Sequence, residues 1–142
     1  MEKWNVKVHM HGTQIIDGEE DVSVVDAVGE CTLKGGKHYI IFSETVENEQ
    51  IKTMIIIEED AVSVVKKGAI ESKMYFNGGR IYEFKYGTPF GEFNMMTKTG
   101  ELKIFVAEDN IKVVIEYDLY TDSAFTSKNK MLIRIKNCIH DK

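Results

Sequence analysis

The sequence predicts an all-β protein whose strands form an antiparallel up-and-down β-barrel of about eight to ten strands. Three observations support this prediction. Apolar and polar residues alternate along most of the chain, turn residues recur at short intervals, and no window keeps a 3.6-residue period long enough for a helix. A two-sheet β-sandwich is the alternative, but closure into a barrel removes the exposed edges that a long meander otherwise leaves.

The alternation is clear from the first strand onward. Between residues 3 and 16, apolar side chains fall on one face and polar side chains on the other, and Asp17 and Gly18 then supply the turn chemistry of a hairpin. About eleven candidate strands follow one another in this way. They span residues 3–16, 21–34, 37–47, 51–58, 61–66, 69–76, 80–88, 90–98, 101–108, 111–121 and 130–137.

Glycines and polar stretches mark the boundaries of these strands. Gly29 lies inside the second strand and predicts a bulge or a kink there. Gly100 predicts a turn that separates strand 90–98 from strand 101–108, and the polar residues 122–129 predict a loop before the last strand. Because nearly every connection is short, we expect sequential strands to pair antiparallel.

The only proline of the chain lies in a short corner between two predicted strands. A proline donates no hydrogen bond to a strand ladder, so this position requires a corner, a bulge or an edge. We expect the nearby aromatic side chains to pack on the corner; alternatively they line one end of the barrel or form an exposed docking patch. The corner comprises Gly87, Thr88, Pro89, Phe90 and Gly91, and the aromatic set is Tyr82, Phe84, Tyr86 and Phe90.

Composition and charge exclude several classes of function. The chain has 142 residues, of which 43% are hydrophobic and 29% charged, as expected for one domain spanning residues 1–142. The formal net charge of -5 argues against a nucleic acid or an anionic membrane as the main partner.

The sequence also predicts where the protein resides. Its first residues lack the apolar stretch of a signal peptide, and no run approaches the roughly 18 apolar residues of a membrane span. Cys31 and Cys138 are far apart and form neither a disulfide framework nor a metal motif. We therefore expect a cytoplasmic protein with free thiols.

Short segments distributed over nearly the whole chain carry a family resemblance. They are TQIIDGEED (13–21), HYIIF (38–42), MYFNGG (74–79), TPFG (88–91) and NKMLIRI (129–135). In these segments and their order, the chain resembles the YwiB-like family of small bacterial proteins, which is classed as a domain of unknown function. The resemblance implies a calycin-like, lipocalin-like β-barrel and a bacterial cytoplasmic setting, but no activity. Phe90 stands where the family leads us to expect tyrosine.

A barrel of about eight strands can enclose one small ligand instead of packing solid. The faces that we expect to point inward carry methionine and aromatic side chains, which suit an irregular apolar pocket. Arg134 is a further candidate, because an inward arginine can hold a carboxylate through its planar fork, whereas an outward one is an ordinary surface residue. The candidate ligand-binding residues are Met10, Phe42, Met74, Phe76, Tyr86, Met95, Tyr117 and Arg134.

The sequence predicts no catalytic residue, no metal site and no cofactor. It contains no Gly-x-Ser-x-Gly elbow and no glycine-rich phosphate loop before a helix. His9 and His11 share a strand face about 7 Å apart, a spacing that can chelate a metal with a third ligand. The same face carries Asn5 and Lys7, which indicates a solvated surface.

We therefore expect a non-enzymatic binding protein that holds a small, mostly apolar ligand inside its barrel. The alternative is a protein-interaction module with a solid barrel, a monomer or a homodimer, and an enzyme is the third possibility. These hypotheses differ in the barrel interior. A binding protein needs a void of at least a few hundred Å³, an interaction module is filled at normal core density, and an enzyme brings together polar groups of perturbed pKa.

Overall fold

Short turns connect successive strands in residues 2–138, the part of the chain that the computed structural model describes. Alternating side chains and β-branched residues favour extended backbone, and the turns reverse its direction. The strands are β1 (Glu2–Ile16), β2 (Glu19–Lys34), β3 (Lys37–Val46), β4 (Glu49–Ile57), β5 (Val62–Gly68), β6 (Ser72–Phe76), β7 (Ile81–Thr88), β8 (Gly91–Val106), β9 (Asn110–Thr121) and β10 (Ala124–Asn137).

All of these strands belong to one ten-stranded antiparallel sheet with the order β6-β5-β4-β3-β2-β1-β10-β9-β8-β7. Strand β1 pairs with both β2 and β10 and so joins the two halves of the sheet. Strands β6 and β7, the first and last in this order, meet at Glu71 and Gly87. The Glu71 amide donates a hydrogen bond to the Gly87 carbonyl oxygen over 3.0 Å, and the Gly87 amide donates one to the Glu71 carbonyl oxygen over 2.8 Å. The sheet is therefore a nearly closed barrel, which confirms the predicted fold class.

The apolar core fills one end of the barrel, where β1 begins and β10 ends. The side chains that point inward there are mostly aliphatic, as the two-residue period of the strands requires, and their burial drives folding. We call this the apolar end, and the opposite end, which carries the Asp17-Gly18 turn, the polar end. The buried cluster consists of Val6, Val8, Cys31, Ile40, Phe42, Ile55, Ile57, Val62, Val64, Phe76, Ile111, Val113, Ile115, Ile133 and Ile135.

Strand β2 separates from β3 partway along the barrel. It pairs with β1 as far as their common turn, but with β3 only over residues 30–34. At the branch point, a Cβ on Gly29 would lie 2.4 Å from the carbonyl oxygen of Ile41. Gly29 therefore permits a close approach. Of the predicted bulge or kink, the bulge is wrong, since the β1–β2 register runs through Gly29 without a shift. Residues 19–28 of β2 have a ladder on one side only.

The strands differ from the predicted pattern in two further places. The sequence predicts a turn at Gly100, whereas residues 91–106 form the single strand β8, whose register against β9 shifts between Thr99 and Glu101. A glycine inside a long strand here marks a bulge. The predicted loop at residues 122–129 lies mostly in β10, which begins at Ala124. Polar side chains point inward from this part of β10, so the apolar alternation is missing there.

The proline corner is the turn between β7 and β8. Thr88 pairs with Gly91, and its Oγ1 accepts a hydrogen bond from the Phe90 amide over 3.1 Å and donates to the Gly91 carbonyl oxygen over 3.0 Å. Gly91 has a φ of 140°, which L side chains rarely adopt. The prediction that Phe90 packs on the corner is wrong, because the turn projects its side chain into solvent, where it is 95% exposed.

Replacing Gly29 with alanine should destabilise the fold, because the added Cβ meets the Ile41 carbonyl oxygen. We expect the free energy of unfolding to fall by roughly 1–3 kcal/mol, the usual cost of overpacking. Gly100→Ala is the matched control, since its Cβ would make only an ordinary 3.5 Å contact with the Glu116 carbonyl oxygen. Urea unfolding measures both variants, and equal losses would contradict the role assigned to Gly29.

Candidate binding site on the inner face of the barrel

Most of the predicted ligand-binding residues line the inner face of the barrel. Phe42 and Phe76 belong to the buried core, and Met10, Met74 and Tyr117 pack against that core. The ring of Tyr117 lies 4.8 Å from the ring of Phe76. These side chains form the boundary between the filled apolar end and the rest of the interior.

Two more of the predicted residues lie on strands β7 and β8, nearer the polar end. Tyr86 is half-buried, and the sulfur of Met95 accepts a hydrogen bond from Thr121 Oγ1 over 3.4 Å. Phe84 lies opposite Met95 in the sheet, and its ring stacks on that of Tyr82 with the centroids 6.5 Å apart. This part of the inner face is therefore aromatic and contains an adaptable thioether.

Arg134 is the exception among the predicted residues. It lies between the buried residues Ile133 and Ile135, and its own side chain is exposed. Because successive side chains of a strand point to opposite faces, Arg134 is on the outside of the barrel. It does not contribute to a site on the inner face.

A row of polar side chains crosses the inner face beyond the apolar core. Gln14 of β1 lies opposite Asn129 of β10, Asn129 lies opposite Tyr117 of β9, and Tyr117 lies opposite Thr99 of β8. Opposite residues of an antiparallel sheet have Cβ atoms about 4.5–5.5 Å apart, so these side chains are neighbours. Each of these strands thus changes from aliphatic to polar inward residues along its length.

Ser127 connects two members of this polar row. It is fully buried, and its Oγ accepts a hydrogen bond from Gln14 Nε2 over 3.2 Å and another from Asn129 Nδ2 over 2.9 Å. These hydrogen bonds offset the cost of removing the polar groups from water. The polar side chains of the row on β1 and β10 therefore have hydrogen-bond partners within the protein.

The hydroxyl groups of the row on β8 lack such partners among the described residues. Thr97 and Thr99 are buried, and neither Oγ1 has a hydrogen-bond partner among the described residues. Thr97 lies opposite Tyr82 of β7 and Leu119 of β9. An unpaired buried hydroxyl costs about 1–3 kcal/mol. Both oxygens are shielded from solvent, so a bound molecule reaches them only when neighbouring side chains change rotamer.

A largely buried ion pair adds polar groups on strands β3 to β5. Glu44 Oε2 accepts a hydrogen bond from Thr53 Oγ1 over 2.8 Å and lies 3.9 Å from Lys66 Nζ. The Glu44 side chain is only 12% exposed. Such a pair adds little net stability, because the cost of desolvating both charges offsets their attraction. Polar groups therefore enter the interior from both halves of the sheet.

Burial also shifts the titration of three groups in the barrel, and at His38 it lowers the pKa. Desolvation raises the pKa of Tyr117 to about 12 and the pKa of the Cys31 thiol to about 11. Both groups keep their protons at neutral pH, so Tyr117 can donate a hydrogen bond and Cys31 is a poor nucleophile.

The two histidines considered as metal ligands lie on the outer face. His9 Nδ1 lies 2.7 Å from Asp26 Oδ1. Within residues 2–138, no three His, Cys, Asp or Glu side chains are grouped closely enough to hold a metal ion. The same part of the chain contains no helix of the length and apolar character needed to cross a membrane.

The hydrogen-bond ladders around the barrel are interrupted in two places. One is the split between β2 and β3, and another is the seam between β6 and β7, which the Glu71–Gly87 bridge joins. A groove of about 1100 Å³ lies over the seam and is open to solvent. Its charged lining residues are Lys66, Lys67, Glu71, Lys73, Lys85 and Glu92.

Sequence reasoning does not identify the polar residues of the inner face. A signal exists for Thr97 and Thr99, because they continue the inward alternation of Met95 along β8. For Ser127 and Asn129 no such signal exists, since the sequence predicts a loop where β10 begins.

Comparison with known proteins agrees with this architecture. The family model described as "Domain of unknown function (DUF1934)" matches residues 8–133. The "Uncharacterized beta-barrel protein YwiB" of Bacillus subtilis (strain 168) is 24% identical over 140 residues, which cover 97% of this chain and 99% of YwiB. The resemblance predicted from short segments is thereby confirmed.

A solved structure shares the fold. The "Crystal structure of ywiB protein from Bacillus subtilis" matches with a TM-score of 0.87 at 23% sequence identity, covering 96% of this chain and 94% of the other. The likeness extends over nearly the full length of both chains and shows a common β-barrel.

The free energy of unfolding should fall at alkaline pH because the Tyr117 phenol is buried. Because burial raises the pKa of Tyr117 from 10.0 to about 12, its contribution to stability is complete below pH 10 and is lost as the pH rises through 12. Two pKa units correspond to about 3 kcal/mol. Tyr117→Phe should therefore reduce the fall in the free energy of unfolding over this range, measured by urea unfolding at successive pH values.

Tyr39→Phe, on the outer face of β3, is the control. Equal losses in the wild type and Tyr117→Phe would exclude this role.

Proposed function

The chain belongs to the family described as "Domain of unknown function (DUF1934)", and from this premise we propose that it is a non-enzymatic binding protein for a small, mostly apolar molecule with a hydrogen-bonding group. The family description names no activity, so the proposal rests on the geometry of the barrel. The molecule binds on the inner face, where the polar row meets the apolar core. A cytoplasmic setting stays a prediction from the sequence.

The unpaired hydroxyls of Thr97 and Thr99 carry the proposal. Valine has nearly the same shape as threonine and would occupy both positions without an unpaired polar atom. Sequence features that lower stability without local compensation are expected at functional sites. A carbonyl, hydroxyl or carboxylate oxygen of a ligand would accept hydrogen bonds from these two hydroxyls.

Apolar side chains elsewhere on the inner face suit the apolar part of such a ligand. Met10 and Met74 are partly buried and pack against the core, and their flexible side chains can change rotamer to admit a ligand. Phe76 and Tyr117, with their rings 4.8 Å apart, form a firmer wall. The site thus combines adaptable apolar surface with a few polar groups, as small-molecule sites generally do.

The packed apolar end restricts where the ligand enters. The inward residues there form one continuous buried cluster, so entry occurs from the polar end or through the gaps between the strands. Along the β2–β3 split and the β6–β7 seam, few backbone hydrogen bonds have to open. Local opening at such weakly paired places costs less free energy than opening a continuous ladder.

Native mass spectrometry of the full chain, purified from its own host, tests the proposal. We expect an additional mass that is released on denaturation. The Thr97→Val, Thr99→Val double variant should retain less than about a tenth of it, since two lost hydrogen bonds weaken binding at least tenfold. Thr53→Val, whose hydroxyl already has a partner in Glu44, should retain it. A wild type without bound mass, or a double variant that binds as the wild type does, would refute the proposal.

The same substitutions should have the opposite effect on the stability of ligand-free protein. Thr97→Val and Thr99→Val should each raise the free energy of unfolding by about 1 kcal/mol, because each removes an unpaired buried hydroxyl. Thr53→Val should lower it by about 1 kcal/mol, since Thr53 is equally buried but donates to Glu44 over 2.8 Å. Urea unfolding midpoints report all three. Destabilisation by every variant would mean that the Thr97 and Thr99 hydroxyls are satisfied in the folded protein.

A further inference from the structure

Residues 19–28 of β2 form an unpartnered strand edge within the described part of the chain. One side of this segment pairs with β1, but the β2–β3 ladder begins only at Glu30. The free amide and carbonyl groups of such an edge are a template for a further strand. The segment contains no lysine or proline, and its register with β1 shows no bulge. Its protection against other strands therefore rests on its acidic side chains alone.

The outer face of this edge is also apolar. Val22, Val24 and Val28 are exposed by 56%, 53% and 68%. They alternate with Glu20 and Asp26 on the same face. Exposed apolar surface and free backbone groups therefore coincide on one segment.

Acidic charge is concentrated at the tip of the edge. Glu19, Glu20 and Asp21 follow the Asp17-Gly18 turn directly and are all exposed. At the other end of the edge, the neighbouring outer positions are basic. Lys7 of β1 lies opposite Val28 of β2, and this end is therefore the basic root of the edge.

The basic root extends across three strands of the outer face. Lys7 lies opposite Lys136 of β10, and Arg134 of β10 lies opposite Lys112 of β9. Like charges directly opposite each other destabilise a sheet. Among residues 2–138, none of these cations forms an ion pair. The root is therefore a surface that favours an acidic neighbour.

We propose that a second copy of this chain occupies the edge, with the two β2 strands antiparallel about a two-fold axis at Val24. Val24 then faces Val24 of the other copy, Val22 faces Asp26, and Glu20 faces Val28. Strands lie about 4.8 Å apart, so the backbones of Glu20 and of Lys7 in the other copy are roughly 10 Å apart, with a valine between them. The two side chains can span this distance, and the acidic tip of each copy meets the basic root of the other.

Charge selects a second copy over other strands. A uniformly acidic segment would be repelled by the tip, and a uniformly basic segment would be repelled by the root. A strand that carries the same charge pattern and runs in the opposite direction satisfies both ends. The antiparallel second copy has this property by symmetry. This inference shares the β2–β3 split with one of the proposed entry routes, but its charge pairs lie on the outer face and it does not require a ligand.

Sedimentation velocity of the full chain over a micromolar concentration series tests the inference. We expect a monomer–dimer equilibrium that weakens as salt is added, because the tip–root contacts are exposed. Val24→Lys should weaken dimerisation at least tenfold, since it places two lysines face to face at the axis. Val106→Lys is the matched control, because Val106 is 56% exposed but lies at the end of β8. A monomeric wild type, or a dimer unaffected by Val24→Lys, would overturn the proposal.

A charge exchange tests the register. Glu20→Lys and Lys7→Glu should each weaken the dimer, and the double variant should recover most of the loss because it restores opposite charges at both symmetric contacts. Circular dichroism verifies that each variant is folded, as expected for substitutions of exposed side chains. A double variant weaker than both single variants would show that Glu20 does not meet Lys7 in the dimer.

Discussion

The ladder between β1 and β10 is the interaction on which the barrel depends. It joins strands near the two ends of the chain, from the Val6–Asn137 pair to the Ile15–Lys128 pair. Trp4 Nε1 also donates to Asn137 Oδ1 over 2.7 Å at the apolar end. Without this ladder the sheet would be an open meander with two further long edges. Contacts so distant in sequence carry a large loop-closure entropy cost, which the burial of the shared aliphatic core offsets.

Once the barrel is closed, its interior divides along the strands. Val113 and Ile115 of β9 extend the aliphatic core, and two residues later Tyr117 faces a polar row. All three have the same inward direction, so strand geometry does not require the change in polarity. An aliphatic interior throughout would avoid the unpaired hydroxyls of Thr97 and Thr99. The polar half of the barrel interior therefore lowers the stability of the fold, as is common where residues serve a function.

The sequence predicts the fold well because a two-residue alternation and short turns together leave few other topologies. It predicts most of the inward candidates, such as Met10 and Tyr117, for the same reason. The bulge considered for Gly29 and the turn predicted at Gly100 are wrong, because a glycine looks the same in sequence whether it forms a turn, a bulge or a close approach. Ser127 and Asn129 are missed because their polarity resembles that of a loop until the pairing of β10 with β1 is known. Those distinctions depend on non-local pairing, which local patterns do not contain.

Gly29 connects the two surfaces to which we assign binding. Its missing Cβ allows Ile41 to approach β2 closely, and beyond this point β2 and β3 separate. The separation leaves the β2 edge free and is one of the places where we propose that a ligand enters. The barrel remains stable because β1 pairs with both β2 and β10 along its length. The continuous β1 ladders therefore allow the protein to keep one side of β2 unpaired. The entry route and the docking edge that we propose both depend on this separation.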